Sequence, residues 1–196
     1  DVMAPVEIVR IVRPLYGETR LRVVFDPRPD YARGKVELFT AAEGIDVVGG
    51  GQRFHLATNL PVSFVIEARE FLLDRPLFFV FSLGPREEVP TLASVTRDLD
   101  LTVAGWQAWV KSCALPTFAP EEVLRSALCL KLHACLDTGA IIAAATTSIP
   151  EAMGTQRTWD YRYCWLRDAA FVVEALRRLS HLREGEHFLR FLLDVA

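Results

Sequence analysis

The first half of the chain alternates short apolar runs with turn-forming residues, which is typical of antiparallel β-strands. Val, Ile, Phe and Leu dominate the runs, and Gly and Pro separate them. Strands at this spacing predict an antiparallel β-sandwich over residues 1–98. The predicted strands are 6–13, 19–25, 35–40, 45–48, 53–56, 62–67 and 77–81. The run from Arg20 to Phe25 starts with alternation and becomes continuously apolar, which predicts a strand buried on both faces.

Beyond residue 98 the apolar positions recur at helical spacing, which indicates a second domain. We expect a helical linker over residues 99–120 and a helical domain over residues 121–196. The first helix of that domain should begin at Pro120 and end at Gly139. Two more helices are predicted, over residues 167–179 and from about residue 183 onward. The first of the three carries an apolar stripe at every fourth position: Leu124, Leu128, Leu132 and Leu136.

Composition and charge exclude several classes of protein. Of the 196 residues, 51% are hydrophobic and 24% are charged, which is incompatible with intrinsic disorder. The net charge of -3 gives no basic excess for a nucleic acid partner. No apolar run approaches the roughly 18 residues that a membrane-spanning helix needs, so we expect a soluble protein with no membrane partner.

Cysteine usage points to a reducing compartment. The four cysteines form no Cys-x-x-Cys pair, which argues against a zinc ribbon and against a disulfide framework. We therefore predict reduced thiols and a cytoplasmic location.

Cys129 and His133 are spaced to share a metal, with Cys135 nearby, but thiols and a His on an apolar helix usually belong to the core. The sequence predicts no metal and no cofactor. The cysteines are Cys113, Cys129, Cys135 and Cys164.

Two further segments have simple interpretations. The glycines at 49–51 are not followed by a helix or by Lys-Ser/Thr, so they predict a hairpin turn in place of a phosphate loop. The charged run at 85–88 is expected to form a solvated loop.

The most unusual segment runs from Trp159 to Asp168 and contains two Trp, two Tyr, two Arg and two Asp. This mixture suits a sugar, because the C–H faces of a pyranose stack on aromatic rings while Arg and Asp bind its hydroxyls. A second interpretation is structural: an aromatic loop packed under the sandwich, whose Arg–Asp pair caps the next helix. Composition alone leaves both interpretations open.

Two sequence blocks resemble the glucoamylase and trehalase-like glycoside hydrolases of family fifteen. The first block comprises residues 138–141 and 143–151, followed by Gly154 and Arg157, and the second runs from Trp159 to Ala169. Residues 27–31, Pro-Arg-Pro-Asp-Tyr, also resemble the amino-terminal domain of that family. One departure is Thr at position 158, where the family pattern has Asn.

The resemblance implies a fold, an activity and a set of site residues. It implies a β-sandwich, a helical linker and an (α/α)6 barrel that releases glucose from α-glucosides with inversion of configuration. Arg167 and Asp168 match the pair that holds the hydroxyls of the non-reducing glucose, in the subsite before the cleaved bond. Tyr161 and Trp165 match aromatic residues that line the same subsite.

The resemblance implies no catalytic residue in this chain. Inverting hydrolysis needs a general acid and a general base, and in this family both are Glu residues from later barrel helices. Glu174, Glu184 and Glu186 are poor substitutes; Glu174, for example, lies more than one and a half turns deeper than Asp168. We therefore expect a fragment, cut at both ends and inactive alone. Its uncovered barrel helices predict a homo-oligomer or a part of a longer protein.

Three alternatives stay open at the level of sequence. Glucoamylase and trehalase are not distinguished. A disaccharide phosphorylase of the same architecture would use phosphate in place of water and need one carboxylic acid. A carbohydrate-binding or purely structural module would use the aromatic loop for adhesion or packing.

Overall fold

The computed structural model describes residues 6–84, 88–146 and 152–196, and it divides the chain into two compact units, Asp1–Val103 and Ala104–Ala196. The first unit is built on antiparallel strands and the second on helices. The described strands are β1 (Glu7–Val12), β2 (Arg20–Arg22), β3 (Glu37–Ala41), β4 (Gly44–Gly49), β5 (Gln52–Thr58), β6 (Glu70–Leu72) and β7 (Leu77–Leu83). The described helices are α1 (Val62–Ile66), α2 (Leu92–Lys111), α3 (Pro120–Leu132), α4 (Leu166–Arg178) and α5 (Leu182–Val195). No helix in these ranges is long and apolar enough to cross a bilayer.

The strands form two antiparallel sheets, which confirms the predicted antiparallel β-structure of the amino-terminal part. The larger sheet has the order β1-β7-β5-β4-β3, and β2 pairs with β6 in the smaller one. One apolar cluster contains Ile45 and Leu56 of the larger sheet together with Leu21 and Phe71 of the smaller sheet. This cluster is the layer between the two sheets.

Strand β7, an interior strand of the larger sheet, is buried on both faces. Its side chains alternate between the inter-sheet cluster and a second cluster that includes Val95 of α2. The prediction of such a strand at residues 20–25 is wrong, because β2 ends at Arg22 and Val24 is 73% exposed. The smaller sheet has two strands and covers one face of the larger sheet, so no element of the described residues buries the other face of β2.

Residues 62–67 were expected to form a strand, and the structure corrects this to helix α1. Asn59 fixes the chain just before the helix, since its amide donates to the carbonyl of Pro76 and accepts from the backbone N–H of Phe78. Val65 is buried in the inter-sheet cluster, and Val62 packs beside it three positions earlier. A short apolar run fits either a strand or a helix, and packing decides between them.

Helix α3 ends at Leu132, not at the predicted Gly139. The chain then reverses, because Gly139 N–H donates to the carbonyl of Cys135, and Cys135 N–H donates to the carbonyl of Ala140. Leu136, the last member of the predicted stripe, is therefore 73% exposed. Gly139 terminates a turn after the helix, where its φ of +78° suits glycine.

Helices α4 and α5 lie where the sequence predicted them and pack against each other. A buried cluster of Ile141, Ala169 and Phe188 joins them to the segment after α3. These elements establish a helical second unit. The complete (α/α)6 barrel and the division into sandwich, linker and catalytic domain remain predictions.

Candidate sugar-binding site

The candidate site lies where an extended loop enters helix α4. Trp165 is the N-cap and has extended backbone angles, and Arg167 and Asp168 occupy the first helical turn. A carboxylate in the first turn is favoured by the helix dipole, so Asp168 has a stable place there. The sequence order thus puts the aromatic loop and the charged pair within one helical turn of each other.

The loop presents a cluster of three aromatic rings. The Trp165 ring centroid lies 5.7 Å from that of Tyr161, at an interplanar angle of 31°. Trp159 meets Trp165 edge-on, with centroids 6.2 Å apart. The sequence predicts a smaller role for Trp159 and Tyr163 than for their neighbours. In the structure Trp159 joins the cluster, whereas Tyr163 is 70% exposed.

Backbone hydrogen bonds fix the loop against the segment that precedes it. Ala144 N–H donates to the carbonyl of Tyr161 at 2.8 Å, and Ala143 N–H donates to the carbonyl of Tyr163 at 3.2 Å. The indole N–H of Trp165 donates to the carbonyl of Asp160 at 3.0 Å. The cluster is therefore held in place by both backbone and side-chain contacts. Residues 147–151 of the family-like block lie outside the described residues.

The two Arg–Asp pairs of this segment have different surroundings. Asp160 and Arg162 are part-buried, and the Asp160 carboxylate accepts from the Arg162 guanidinium at 2.6 and 3.0 Å and from its backbone N–H at 3.0 Å. Arg167 and Asp168 share one contact of 3.1 Å, and the Arg167 side chain is 70% exposed. The first pair shapes the loop. In the second pair the Arg167 guanidinium is exposed, whereas the Asp168 side chain is 32% exposed, close to the 31% of Asp160.

The capping interpretation of Asp168 finds no support in this geometry. The N-cap of α4 is Trp165, and within the described residues no side-chain cap hydrogen bond is formed at this helix start. The structure thus brings Tyr161 and Trp165 into contact and places Arg167 and Asp168 on the adjoining helical turn.

The three glutamates weighed from the sequence have other positions. Glu174 is bound by Arg177 and Arg178, whose hydrogen bonds lower its pKa to about 2. Glu184 is buried and accepts hydrogen bonds from Lys131 at 2.9 Å and from the Trp109 indole at 3.0 Å. Neither carboxylate is poised to exchange a proton with a substrate, because both are paired with cations. Glu186 lies exposed on α5.

Glu184 belongs to a buried polar network that sequence reasoning missed. The ring of His181 stacks on Trp109 with centroids 4.0 Å apart, and His181 Nε2 lies 3.0 Å from the Cys113 sulfur. Burial lowers the pKa of His181, and burial together with Glu184 raises the pKa of the Cys113 thiol. Lys131 was the available signal, since it is one of only three lysines and interrupts an apolar helix.

The cysteine and histidine residues weighed as metal ligands are not core residues, which corrects that interpretation. Cys129 and Cys135 are exposed, and Cys135 lies beyond the end of α3. His133 Nδ1 is 2.7 Å from the carbonyl of Cys129. Across the described parts of the chain, no group of three or more His, Cys, Asp or Glu side chains is arranged to hold a metal ion.

Two family models match the chain, in the two regions that the resemblance identified. Residues 118–196 match the model described as glycosyl hydrolases family 15, and residues 2–71 match the model described as trehalase-like, N-terminal. The two matches confirm the resemblance to the trehalase-like glycoside hydrolases of family 15. No solved structure matches the chain.

Curated relatives extend the similarity across almost the whole chain. The trehalase of Thermoplasma acidophilum is 42% identical over 195 residues, covering 96% of this chain and 33% of that protein. The trehalase of Mycobacterium tuberculosis is 41% identical over 204 residues, covering 96% of this chain and 30% of that protein. The trehalase of Mycolicibacterium smegmatis is 31% identical with the same coverage. The chain therefore spans about a third of the length of these relatives.

Proposed function

We propose that this chain provides part of the glucose-binding subsite of an inverting glycoside hydrolase that acts on α-glucosides, with trehalose as the substrate. The observation that carries the proposal is the aromatic cluster of Trp165 and Tyr161 beside the exposed Arg167 and the half-buried Asp168. The family 15 match over residues 118–196 supports it, since the site lies within that region.

The chemistry of the four side chains suits one glucose ring. The rings of Tyr161 and Trp165 offer an apolar surface for the C–H face of a pyranose. Asp168 accepts from sugar hydroxyls and Arg167 donates to them, so the pair selects hydroxyl positions. The fixed loop limits the entropy lost on binding.

Trehalose is favoured over maltooligosaccharides by the names of the relatives, which are trehalases. Trehalose joins two glucose units through their anomeric carbons, so each end presents a non-reducing glucose to a subsite of this kind. We keep glucoamylase activity as the second candidate, because the glucose in that subsite is the same for both substrates.

The general acid and general base belong, in this proposal, to parts of the enzyme beyond these 196 residues. An inverting pair needs two carboxyl groups about 6.5–9.5 Å apart, one of them protonated and one free to activate water. Glu174 and Glu184 are held as carboxylates by their cationic neighbours. The chain alone should therefore bind sugar and leave it intact.

Calorimetric titration of the chain with trehalose and with glucose tests the binding role. Asp168→Asn removes the charge that accepts from sugar hydroxyls, and we expect affinity to fall about tenfold or more, since a hydrogen bond to a charged group contributes about 1.5–3 kcal/mol. The matched control is Glu174→Gln, an acidic residue on the same helix that should leave affinity unchanged. Equal affinity in wild type and Asp168→Asn would refute the assignment.

Glucose release tests the second part of the proposal. Incubation of the isolated 196 residues with trehalose or maltose should liberate no glucose above the rate of a heat-denatured sample. Steady glucose release would show that a catalytic pair exists within this chain.

A further inference from the structure

Among the described residues of the first unit, no strand pairs with the outer edge of β1. Strand β1 ends the order of the larger sheet, and within the described residues only β7 pairs with it. Leu83 N–H donates to the carbonyl of Val6, which shows that the even-numbered residues of β1 direct their backbone N–H and C=O groups toward β7. Because hydrogen-bonding direction alternates along an antiparallel strand, the N–H and C=O groups of Val9 and Ile11 point away from β7.

A cleft flanks this edge on each face of the sheet. The cleft on the side of the smaller sheet has a volume of about 340 Å³ and is lined by Ile8, Arg10 and Val12, with Val24 and Phe25 opposite. The cleft on the side of α2 has a volume of about 470 Å³ and is lined by Glu7, Val9, Ile11, Asp98, Leu99 and Thr102. Successive residues of β1 thus line opposite clefts, as alternation along a strand requires.

Paired clefts at an open edge have the shape that an added strand fills. The backbone of such a strand would pair with Val9 and Ile11, and its side chains would enter the two clefts in turn. The apolar lining supports this, since Ile8 is 60% exposed and Leu99 is 43% exposed without such a strand. Open apolar edges are normally protected in folded proteins, which makes this edge a candidate for pairing with a further strand.

The two clefts carry opposite charges, which defines the occupant. Arg10 is the charged residue of the first cleft, and it forms no ion pair within the described ranges. Asp98 places an acidic group in the second cleft. We propose that an extended segment of another polypeptide adds to β1, with apolar residues alternating between the clefts, an acidic residue facing Arg10 and a basic residue facing Asp98.

A second copy of β1 fits this surface poorly. A two-fold symmetric antiparallel pair keeps like faces together, so both Arg10 side chains would lie on one face of the joined sheet. Like charges directly opposite each other on a strand pair are destabilising, and the register that pairs Val9 with Ile11 places the two Arg10 side chains directly opposite. Charge complementarity therefore favours a different segment over self-pairing.

Two synthetic peptides with fluorescent labels test the proposal by anisotropy. In antiparallel pairing, Val-Thr-Glu-Val-Ile-Lys places its Glu opposite Arg10 and its Lys on the face of Asp98. The control peptide Val-Thr-Lys-Val-Ile-Glu exchanges the two charges. We expect wild type to prefer the first peptide by about tenfold. Arg10→Glu, a change at an exposed side chain, should abolish this preference, because each peptide then meets one attractive and one repulsive charge.

Val9→Pro gives an independent test of backbone pairing. It removes an N–H that points away from β7, so β1 should stay paired while both peptides lose affinity. Circular dichroism of Val9→Pro checks that the sheet is retained. If the sheet is lost, the comparison of the two peptides with wild type and Arg10→Glu tests the proposal without this variant. Failure of wild type to bind either peptide at millimolar concentration, equal binding of both peptides by wild type, or an undiminished preference in Arg10→Glu overturns the proposal. So does concentration-dependent dimerisation in ultracentrifugation that Val9→Pro abolishes, since a second copy would then occupy the edge.

Discussion

Two aspartates eight positions apart, Asp160 and Asp168, show how neighbours decide what an identical side chain does. Asp160 accepts three hydrogen bonds from Arg162 and belongs to the loop's own structure. Asp168 has one contact of 3.1 Å with Arg167 and keeps acceptor capacity for a ligand. Both aspartates lie in a segment whose composition suits sugar binding. The sequence alone does not distinguish their roles, because these roles depend on which hydrogen bonds the loop geometry allows each carboxylate to form.

Gly139 carries two constraints at once, and this predicts a large effect of Gly139→Ala. Its φ of +78° disfavours any side chain, and a Cβ there would overlap the backbone carbonyl of His187 in α5. We expect a loss of roughly 3 kcal/mol or more in the free energy of unfolding, measured by chemical denaturation. The matched control is Gly17→Ala, where φ is +71° but no atom lies within 4 Å of the added Cβ. That control should cost only about 1–2 kcal/mol, and equal losses in both variants would contradict the close-approach argument.

At the scale of elements, the sequence predicted best where local signals and packing agree. Helix α4 has an acidic residue in its first turn, two arginines in its last turn and one apolar face, and it forms where expected. Strands β1, β4, β5 and β7 also lie at predicted positions. The antiparallel sheet and the helical second part were therefore readable from the sequence.

The errors at this scale have a common physical cause. The apolar runs at residues 20–25 and 62–67 are short, and their local pattern does not say what will cover them. In the fold, β7 takes an interior position that buries both of its faces, and α1 packs into the inter-sheet cluster. The early end of α3 was missed for a different reason. Leu136 continues the apolar stripe in the sequence, although the chain has already left the helix at that position.

The buried network between α3 and α5 predicts the effect of Glu184→Gln. Burial raises the pKa of Glu184, but the hydrogen bonds from Lys131 and Trp109 outweigh it and hold this pKa below its usual value. Gln would leave the Lys131 ammonium, whose side chain is 17% exposed, without its counter-charge. We expect destabilisation by roughly 3 kcal/mol in denaturant titrations. Glu186→Gln on the same helix is the control, and a similar small effect of both changes would argue against the network.

At the scale of the molecule, the protein combines a β unit with a helical unit in which the candidate sugar site lies. The site could be located from the sequence because its aromatic and charged residues are contiguous in the chain. The buried network could not, since Trp109, Lys131 and Glu184 come from three helices far apart in sequence. Composition and periodicity report on residues that are close in the sequence, whereas the side chains of this network become neighbours only when the chain folds.

The buried His181 and Glu184 predict how stability depends on pH. Burial lowers the pKa of His181 below 6.5, so on acidification the unfolded state binds the proton first and stability falls. The pKa of Glu184 is lowered below 4.5, so further stability is lost as pH falls below that value. Denaturant titrations should show a decline from pH 7 to pH 5.5 that His181→Gln reduces. Constant stability over this range, or an undiminished decline in the variant, would contradict the assignment.

The central claim, that trehalose binds at the aromatic loop before α4, is tested most directly by the indole N–H signals in a nitrogen–proton NMR spectrum. The chain has four tryptophans, with Trp159 and Trp165 in the loop and Trp106 and Trp109 in α2, and Trp→Phe variants assign the four signals. We expect trehalose to shift the signal of Trp165, to shift that of Trp159 less, and to leave that of Trp109 in place. Saturating trehalose that moves none of the four, or moves only those of α2, would contradict the claim.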